Sequence, residues 1–319
     1  MRPIPAGILE RVGASAAGLG SVDRSWAGVH PLRARGRSTV LEYRFRGGVR
    51  LIAKRYAQRA DALASYEALR LLHEHGFGPG SLHRVPEPLG CFPDWGVVLM
   101  RPARGHCLPT VVARPAAWED GLRRAARWLA QLHAVSADLA GPREDVAQGV
   151  FRLARRAARA AGQRPSVETL LVRLIEELAE RARSVAASSL MVPTHGRYHP
   201  GHVFVAPHSV TVIDLDRAAL ADPARDVGEF LHHLRAEARR ARLSDEAADR
   251  AALAFVEEYA AHADTVPSGV AYFWSYSVLS KLLRVVELDH ERWEKRLKFY
   301  RAEFEAVPMR ARALSELVG

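Results

Sequence analysis

Apolar and polar residues alternate along two segments near the N-terminus. Residues 39–46 (TVLEYRFR) place their large apolar side chains on one face, and residues 49–56 (VRLIAKRY) have the composition of a second strand. A period of two is typical of a β-strand with one buried face. Gly47 and Gly48 lie between the segments and tolerate the positive φ angles of a two-residue hairpin turn. The pattern therefore predicts an antiparallel hairpin.

A helical period replaces this alternation farther along the chain. Apolar residues recur every three to four positions in 60–75, and Gly76 follows at the expected end of a helix. One more buried strand, GVVLM, is predicted at 96–100. Two short strands are predicted at 203–205 and 210–213. The other predicted helices span 117–135, 145–161, 166–187, 225–241, 244–262, 270–287 and 291–305.

The order of these elements predicts an α+β fold with two lobes. Residues 1–104 form a small N-terminal lobe built on an antiparallel sheet, and residues 105–319 form a larger, mainly helical lobe with one embedded hairpin. The 319 residues are 48% hydrophobic and 26% charged. This composition is typical of a globular protein with a sizeable core and excludes a largely disordered chain.

The basic residues are almost all arginines. The formal net charge is +10, but only four of the 46 basic side chains are lysines, namely Lys54, Lys281, Lys295 and Lys298. This bias is typical of a GC-rich genome, so the charge by itself is weak evidence for nucleic-acid binding. The same bias sets Lys54 apart, because no other lysine occurs before residue 281.

One predicted helix carries four arginines on a single face. Arg152, Arg155, Arg156 and Arg159 are spaced as i, i+3, i+4 and i+7. A basic face of this kind can bind nucleic acid. Aromatic residues that would stack on bases are not interleaved with these arginines, so a solvated basic face is favoured and a nucleic-acid partner is not expected.

The cysteine count and the hydropathy bear on the compartment. Cys91 and Cys107 are too few for a disulfide framework or a four-cysteine zinc site, and we expect two packed thiols. No window approaches 18 uninterrupted apolar residues, and residues 1–13 lack the apolar core of a signal peptide. We therefore expect a cytoplasmic protein that does not bind a membrane.

The segment 194–231 carries the residues with the clearest chemistry. An apolar strand, VIDLD, delivers Asp214 and Asp216 at its exit. Carboxylates at a strand end are suited to holding Mg²⁺ together with substrate phosphates. The alternative is a turn in which an aspartate caps the next segment, and the strand alone does not decide between the two.

The order of motifs in this segment resembles the aminoglycoside phosphotransferase and choline kinase family, whose fold is protein-kinase-like and bilobal. That family has H-G-D-x-H-P-G-N, a short hairpin, I-D and then G-D-P-x-x-D. This chain has HGRYHPGH (195–202), VIDLD (212–216) and ADPARD (221–226). The resemblance implies an ATP-dependent phosphotransferase with Asp214 as a metal ligand. The residues that it places in support of the loops are His195, Asp222 and Asp226.

The resemblance continues into the N-terminal lobe. It places Lys54 against the nucleotide phosphates and pairs it with Glu67 of the following helix. A compact ammonium suits that position better than a guanidinium, which agrees with a lysine in an arginine-biased chain. ARGRSTV (34–40) is a poor counterpart of the family's glycine-rich loop, and an ordinary basic turn is the alternative. The other residues expected to bind the nucleotide are Gly36, Ser38, Met100, Arg101 and Pro102.

Two positions with direct chemical roles depart from the family pattern. Arg197 stands where the family has its catalytic aspartate, and His202 stands where it has a metal-binding asparagine. Arginine cannot accept a proton, and loss of a general base typically lowers a rate by about 10²–10⁴-fold. Phosphoryl transfer nevertheless depends mostly on positioning and charge neutralisation. Arg197 could then contact the γ-phosphate, with Asp216 or His199 as the base.

The same departures leave other functions open. An ion pair between Arg197 and Asp214 would occupy the place of the metal and give a pseudokinase that binds a nucleotide or metabolite, or serves a protein partner. His202 as a ligand would favour Mn²⁺ or Zn²⁺ over Mg²⁺. The last alternative is a zinc site made of His195, His199, His202 and Asp214. Glycine and proline between these histidines break the helix that would align them.

The leading hypothesis is an ATP-dependent phosphotransferase that uses Mg²⁺ or Mn²⁺ and acts on a hydroxyl of a small molecule. A polycationic acceptor would call for an acidic protein. The net charge of +10 therefore favours a neutral or anionic acceptor.

Overall fold

The chain divides into two units, each made from two segments. The computed structural model describes residues 26–35, 38–45, 48–137, 139, 146–185, 191–263, 267–288 and 292–318. Unit 1 comprises Met1–His106 and Val203–Ala218, and unit 2 comprises Cys107–His202 and Ala219–Gly319. Residues 203–218 thus belong with the N-terminal residues and not with the helices that flank them in the sequence.

Strands come mostly from unit 1 and helices mostly from unit 2, which confirms the α+β class. The strands are β1 (Trp26–Arg35), β2 (Ser38–Phe45), β3 (Arg50–Tyr56), β4 (His83–Arg84), β5 (Pro88–Phe92), β6 (Val97–Met100), β7 (His106–Cys107), β8 (Val192–Thr194), β9 (Val203–Ala206), β10 (Ser209–Val212) and β11 (Ala219–Ala221). The helices are α1 (Arg59–Leu72), α2 (Pro115–His133), α3 (Val146–Gln163), α4 (Glu168–Val185), α5 (Ala224–Arg240), α6 (Asp245–Ala263), α7 (Val270–Glu287) and α8 (Trp293–Val318).

Unit 1 contains a five-stranded antiparallel sheet. Its strand order is β1-β2-β3-β6-β5. Side chains of a strand point alternately to the two faces of a sheet, so one face of this sheet collects the apolar positions. They are Leu41, Tyr43, Leu51, Ala53, Val97 and Leu99. The strands predicted from the alternating pattern are therefore confirmed.

The turn between β2 and β3 is described at its two ends. The amide of Phe45 donates to the carbonyl of Val49 at 2.9 Å, and the amide of Gly48 donates to the carbonyl of Phe45 at 3.0 Å. Gly48 has a φ of +79°, in the left-handed region that glycine adopts without steric cost. Gly47 lies outside the described residues, so the two-residue turn stays a prediction.

Short strands place residues 203–218 within unit 1. β9 and β10 pair antiparallel, which confirms the predicted embedded hairpin, and β10 pairs in parallel with β4 through Val210 and His83. β10 ends two residues before Asp214. The strand pairing therefore fixes the direction in which Asp214 and Asp216 leave the sheet.

Stacked aromatic rings join the elements of unit 2. The ring of Tyr198 lies 5.6 Å from Trp128 of α2 and 5.1 Å from Phe230 of α5, and Phe230 lies 4.0 Å from Phe255 of α6. All four side chains are fully buried. Burial of such large rings contributes more to stability than any other side-chain type, and it anchors the loop that carries Tyr198.

The helices of unit 2 agree closely with the periodic pattern. Apart from the C-terminal end of α8, their ends lie within two residues of the predictions. Across the described residues, no helix combines the length and the apolar character that a membrane span requires.

The sequence pattern does not predict the strands β1, β4, β5, β7, β8 and β11 or the C-terminal end of α8. β1 contains Gly28 and Pro31, which mask its strand character, and it forms by backbone pairing with β2. α8 continues to Val318, although the pattern predicts an end at 305. Pro308 lies inside this helix. A proline inside a helix costs about 3 kcal/mol. Packing offsets this cost, since the buried residues around and beyond the proline are Val307, Ala311 and Leu314.

The basic face of α3 is partly used for packing. Arg152 donates to the hydroxyl of Tyr276 at 2.5 Å, and Arg156 forms an ion pair with Glu287 at 2.8 Å. Both partners lie on α7. Arg155 lies over the ring of Phe151, which is 64% exposed. Two of the four arginines therefore hold α3 against α7 within unit 2.

A close approach of two helices predicts the effect of one substitution. A Cβ atom on Gly228 of α5 would lie 2.5 Å from the backbone nitrogen of Trp274 and 2.8 Å from the carbonyl carbon of Phe273, both on α7. We expect Gly228→Ala to lower the free energy of unfolding by about 1–3 kcal/mol, measured by urea denaturation. Gly162→Ala on α3 is the matched control, because a Cβ atom there meets nothing within 4 Å. Equal stability of the two variants would contradict the prediction.

Candidate active site

Lys54 lies on the face of β3 opposite the apolar core. Side chains alternate along the strand, so Leu51 and Ala53 join the core whereas Lys54 and Tyr56 face the other way. Lys54 is only 7% exposed. A buried ammonium is costly unless an opposite charge compensates it. Its surroundings must therefore supply carboxylates.

Two carboxylates of unit 1 contact this ammonium. The Nζ atom of Lys54 forms an ion pair with Oδ1 of Asp214 and lies 2.6 Å from Oδ2 of Asp216. Asp214 lies 160 residues away from Lys54 in the sequence. The two carboxylates carry two negative charges against one positive charge, so the group favours a further cation. Fold and strand direction thus bring together three of the residues predicted from the sequence.

The backbone of Asp214 has an uncommon conformation. Its φ is +71°, in the left-handed region that non-glycine residues rarely adopt. Aspartate tolerates this region better than most residues. Residues held in such conformations cluster at functional sites, where surrounding contacts maintain them. The ion pair with Lys54 is one of these contacts.

Tyr56 and Ser65 hold Asp216 in place. The hydroxyl of Tyr56 donates to Oδ1 of Asp216 at 2.7 Å, and Oγ of Ser65 lies 3.2 Å from the same oxygen and 2.7 Å from the Tyr56 hydroxyl. Burial, followed by the charge of Asp216, raises the pKa of Tyr56 well above its usual range. The phenol therefore stays protonated and remains a donor.

Tyr56 and Ser65 belong to none of the sequence motifs, but the positions of the two residues in their strand and helix indicate a role. Tyr56 follows Lys54 by two positions, so the two side chains share a face of the strand. Ser65 is the one polar member of the buried face of α1, which otherwise consists of Ala62, Ala68, Leu69 and Leu72. A buried serine on an apolar helix face needs a hydrogen-bond partner. Ser65 has two such partners, Asp216 and Tyr56.

Glu67 does not pair with Lys54, and the expected Lys54–Glu67 ion pair is wrong. Glu67 lies on the exposed side of α1, where Nε of Arg70 contacts its carboxylate at 3.1 Å. Residue 67 is about 200° around the helix from residue 65, which faces the sheet. Asp214 and Asp216 therefore neutralise Lys54 in place of Glu67.

Only part of the expected glycine-rich loop falls in the described structure. Gly36 lies outside the described residues. Ser38 begins β2, is half-buried and pairs in register with Tyr56 of β3. Ser38 thus starts the strand beside the one that carries Lys54.

Unit 1 also contains Met100, Arg101 and Pro102, which are expected to bind the nucleotide. Met100 is the last residue of β6 and is buried, and Pro102 is half-buried in the extended segment after it. The amide of Arg101 donates to the carbonyl of Glu87 at 3.0 Å, and its Nε lies 2.8 Å from the Glu87 carboxylate. The guanidinium of Arg101 therefore holds the segment after β6 to Glu87, the residue before β5.

In unit 2, Asp226 fixes the loop that begins at residue 195. Its buried carboxylate accepts hydrogen bonds from the amide of His195 at 2.6 Å and from the amide of Gly196 at 2.8 Å. Burial alone would raise the pKa of Asp226, but the hydrogen bond and charge of His133 and the contacts with His195 lower it below its usual range. Asp226 thus stays ionised. Oδ1 of Asp222 accepts from the amide two residues later at 2.8 Å, at the start of α5.

Imidazole rings bind the backbone of the 195–202 loop. The amide of Arg197 donates to Nδ1 of His195 at 3.3 Å, and its carbonyl accepts from Nδ1 of His202 at 3.1 Å. The amide of Gly201 donates to Nδ1 of His199 at 3.1 Å. The backbone of Arg197 is therefore fixed at both ends. Among the described residues of unit 2, no carboxylate lies within ion-pair distance of its half-buried guanidinium.

The histidines of this loop pack tightly against one another. The ring of His199 lies 3.6 Å from that of His202 and 4.6 Å from that of His233 on α5. Burial, followed by His202 and His233, lowers the pKa of His199 far below its usual range, so it is a poor proton acceptor at neutral pH. In the part of the chain that the structure describes, no three His, Cys, Asp or Glu side chains are grouped to hold a metal ion.

A protein-family model covers the residues around Lys54 in unit 1 and the 195–202 loop in unit 2. The model described as "Phosphotransferase enzyme family" matches residues 33–265. The chain belongs to this phosphotransferase family. The matched range includes Lys54, Asp214 and the 195–202 loop. No curated protein matches the chain in sequence.

Solved structures share the protein-kinase-like fold expected from the sequence. Choline kinase from Cryptosporidium parvum Iowa II has a TM-score of 0.67 and 10% identity, over 98% of each chain. Aminoglycoside phosphotransferase from Alicyclobacillus acidocaldarius has a TM-score of 0.63 and 18% identity, over 100% of this chain and 97% of its own. The GDP and kanamycin complex of APH(2")-IIia has a TM-score of 0.60 and 16% identity, over 95% and 99%. Identities this low show the fold alone.

Proposed function

We propose that this phosphotransferase transfers the γ-phosphoryl group of ATP to a hydroxyl of a small molecule. The observation that carries the proposal is the contact of Lys54 with Asp214 and Asp216 in unit 1. Family membership supports the reaction class, and the GDP bound in a structure of the same fold supports a nucleotide as the donor. A cytoplasmic location stays a prediction.

The donor set of unit 1 fits a hard divalent cation. Mg²⁺ is usually bound by one or two carboxylates together with phosphates and water, and Mn²⁺ takes the same oxygen ligands. When bound, ATP and this cation would supply the phosphoryl group and neutralise its charge. Asp214 would hold the cation and Lys54 the phosphates. Asp216, held by Tyr56 and Ser65, would stay close to both.

We assign His202 to loop support and not to the metal. Its ring is buried in unit 2, and its Nδ1 donates to the carbonyl of Arg197. That hydrogen bond fixes the ring and the tautomer. Arg197 is then held where its guanidinium can stabilise negative charge, a role that needs no proton acceptance.

A second candidate function is nucleotide binding without transfer. One observation favours it, since neither expected base is free to accept a proton. His199 has a lowered pKa and its Nδ1 already accepts a hydrogen bond, while Asp216 is engaged by Lys54 and Tyr56. ATP turnover by Arg197→Asp decides between the two functions. A gain of turnover over the natural protein supports the silent form, and a loss of existing turnover supports the phosphotransferase.

ATP binding tests the proposed function directly. We expect ATP with Mg²⁺ to raise the melting temperature of the full chain, because a ligand of the native state stabilises it. The rise should disappear in Asp214→Asn and shrink in Lys54→Met. Arg55→Met is the matched control for Lys54, because Arg55 is the next residue of β3 and is exposed.

A second control and the opposing outcome complete this test. Asp94→Asn removes an exposed carboxylate of unit 1 and should leave the ATP-induced rise unchanged. Repetition with Mn²⁺ measures the metal preference. No rise with either metal, in a protein that melts cooperatively, would overturn the proposal.

A further inference from the structure

Lys281 and four arginines whose charges act on it lie in unit 2, and one of these arginines belongs to the 195–202 loop. We call them the basic cluster. They are Arg197 in the loop, Arg240 at the end of α5, Lys281 and Arg284 on α7, and Arg296 in the first turn of α8. None of them takes part in the contacts that fix the loop backbone, except through the backbone of Arg197 itself.

Contacts between the helices account for this placement. The loop meets α5 where the rings of His199 and His233 lie 4.6 Å apart. α5 meets α7 where the hydroxyl of Ser277 donates to Glu229, and it meets α8 where the ring of His232 lies 6.3 Å from that of Tyr300.

The basic side chains follow these contacts by helical spacing. Lys281 is one turn beyond Ser277 on α7, and Arg296 is one turn before Tyr300 on α8. Residues four apart share a face of a helix. The contacts of α5 with α7 and α8 therefore also bring these cations together.

Two half-buried members of the basic cluster differ in their partners from Arg235, a buried cation of unit 2. Arg235 is 5% exposed, and three carboxylates compensate it. Lys281 and Arg197 are half-buried, yet among the described residues of unit 2 no carboxylate lies within ion-pair distance of either. Burial, followed by the charges of Arg284 and the other three arginines, lowers the pKa of Lys281. Each of these observations indicates missing negative charge.

Two acids of α5 in this part of unit 2, Glu229 and Glu237, are already engaged. Glu229 accepts from Ser277 and lies 3.2 Å from Nε2 of His233, and Glu237 pairs with Arg240. Within the described residues of unit 2, an anion from outside would therefore meet no competing carboxylate at Arg197 and Lys281, whereas Arg240 already has Glu237 as its partner. Arginine binds carboxylate and phosphate oxygens in a bidentate manner, and lysine adds a compact point charge.

We propose that the basic cluster binds an anionic group, a carboxylate or a phosphate ester, on the hydroxyl compound that accepts the phosphoryl group. The inference rests on the proposed function, because it names the class of acceptor. It also gives a reason for the arginine at residue 197. An aspartate there would repel an anionic acceptor, whereas Arg197 attracts it.

Calorimetric titration of the full chain with inorganic phosphate and with malonate, at constant ionic strength, tests the site. We expect one ion per chain and affinity weakened about 10–100-fold in Lys281→Met and in Arg197→Gln, as for loss of one charge-assisted hydrogen bond. Lys298→Met is the control, because this exposed lysine of α8 lies outside the basic cluster. The proposal would be overturned if Lys54→Met no longer bound phosphate or malonate while Lys281→Met still bound them.

Turnover with matched acceptors tests the acceptor class separately. ATP consumption should show a kcat/KM at least about tenfold higher for D-glycerate or glycerol 3-phosphate than for glycerol, and Lys281→Met should raise KM with kcat nearly unchanged. Equal values for the charged compounds and glycerol would overturn the inference while the proposed function stands. Failure of ATP to bind, with phosphate binding still dependent on Lys281, would overturn the proposed function and leave only the anion site.

Discussion

Replacement of Lys54 by methionine is expected to lower the rate of ATP turnover by about 10²–10³-fold, the effect of removing one group that stabilises charge in the transition state. Methionine keeps the length and volume of the side chain but removes the charge that Asp214 and Asp216 share. The two carboxylates would then repel each other, and the phosphates would lose their compact cation. Phosphate release under saturating ATP and Mg²⁺ measures the rate.

Lys54→Arg distinguishes a charge requirement from a steric one. The chain uses arginine for almost every other cation, so a charge requirement alone would have been met by arginine. The wider, planar guanidinium does not fit between two carboxylates and a phosphate as the ammonium does. We therefore expect Lys54→Arg to recover less than a tenth of the natural rate. Arg55→Met, which changes an exposed residue of β3, should keep the natural rate. Equal rates for all three variants would contradict the role of Lys54.

The sequence predicts the local positions of Lys54 on a strand and of Asp214 just after a strand, because each rests on local order. A lysine on a strand and an aspartate at a strand end depend on short-range alternation, and the spacing of the motifs supplies the rest. Their contact is a property of the fold, since β10 pairs with β4 of the N-terminal segment. The contact itself could not be predicted from any single segment.

Glu67 shows where motif reasoning fails. The order of the elements places an acid on α1 after Lys54, but the face of the helix decides whether that acid reaches the lysine. Residue 65 faces the sheet and residue 67 does not. The apolar spacing of α1 contains this information, because Ala62, Leu69 and Leu72 lie on the same face as Ser65. The period of apolar residues along a helix is therefore better evidence for the ion-pair partner of a lysine than the position of an acid in a motif.

β1 and the end of α8 show a different limit. Both contain residues that disfavour their element, and both are stabilised by contacts with distant parts of the same unit. A local pattern carries no information on such contacts. The basic cluster is missed for the same reason, since its members come from a loop and three helices. Among them, Arg197 and Lys281 are 84 residues apart.

Asp226→Ala is expected to lower the free energy of unfolding by about 3–5 kcal/mol, the cost of breaking a buried charged network. The substitution leaves the amides of His195 and Gly196 buried without their acceptor. Asp226→Asn keeps one acceptor oxygen and should lose less. Urea denaturation at pH 7 measures both. Asp120→Asn is the control, because this exposed carboxylate pairs only at 3.5 Å with Arg124 and its loss should change stability by less than about 0.5 kcal/mol.

The pH dependence of stability distinguishes the contribution of the charge of Asp226 from that of its hydrogen-bond geometry. Burial opposes ionisation of Asp226, but His133 and His195 together lower its pKa below that of the unfolded chain, which is about 3.9. The unfolded state therefore binds a proton at a higher pH than the folded state does. This stabilisation is fully present above about pH 5 and is lost as the pH falls through the folded pKa. The natural protein should lose stability faster than Asp226→Asn between about pH 5 and pH 2. Parallel curves would show that Asp226 supports the loop through hydrogen-bond geometry and not through its charge.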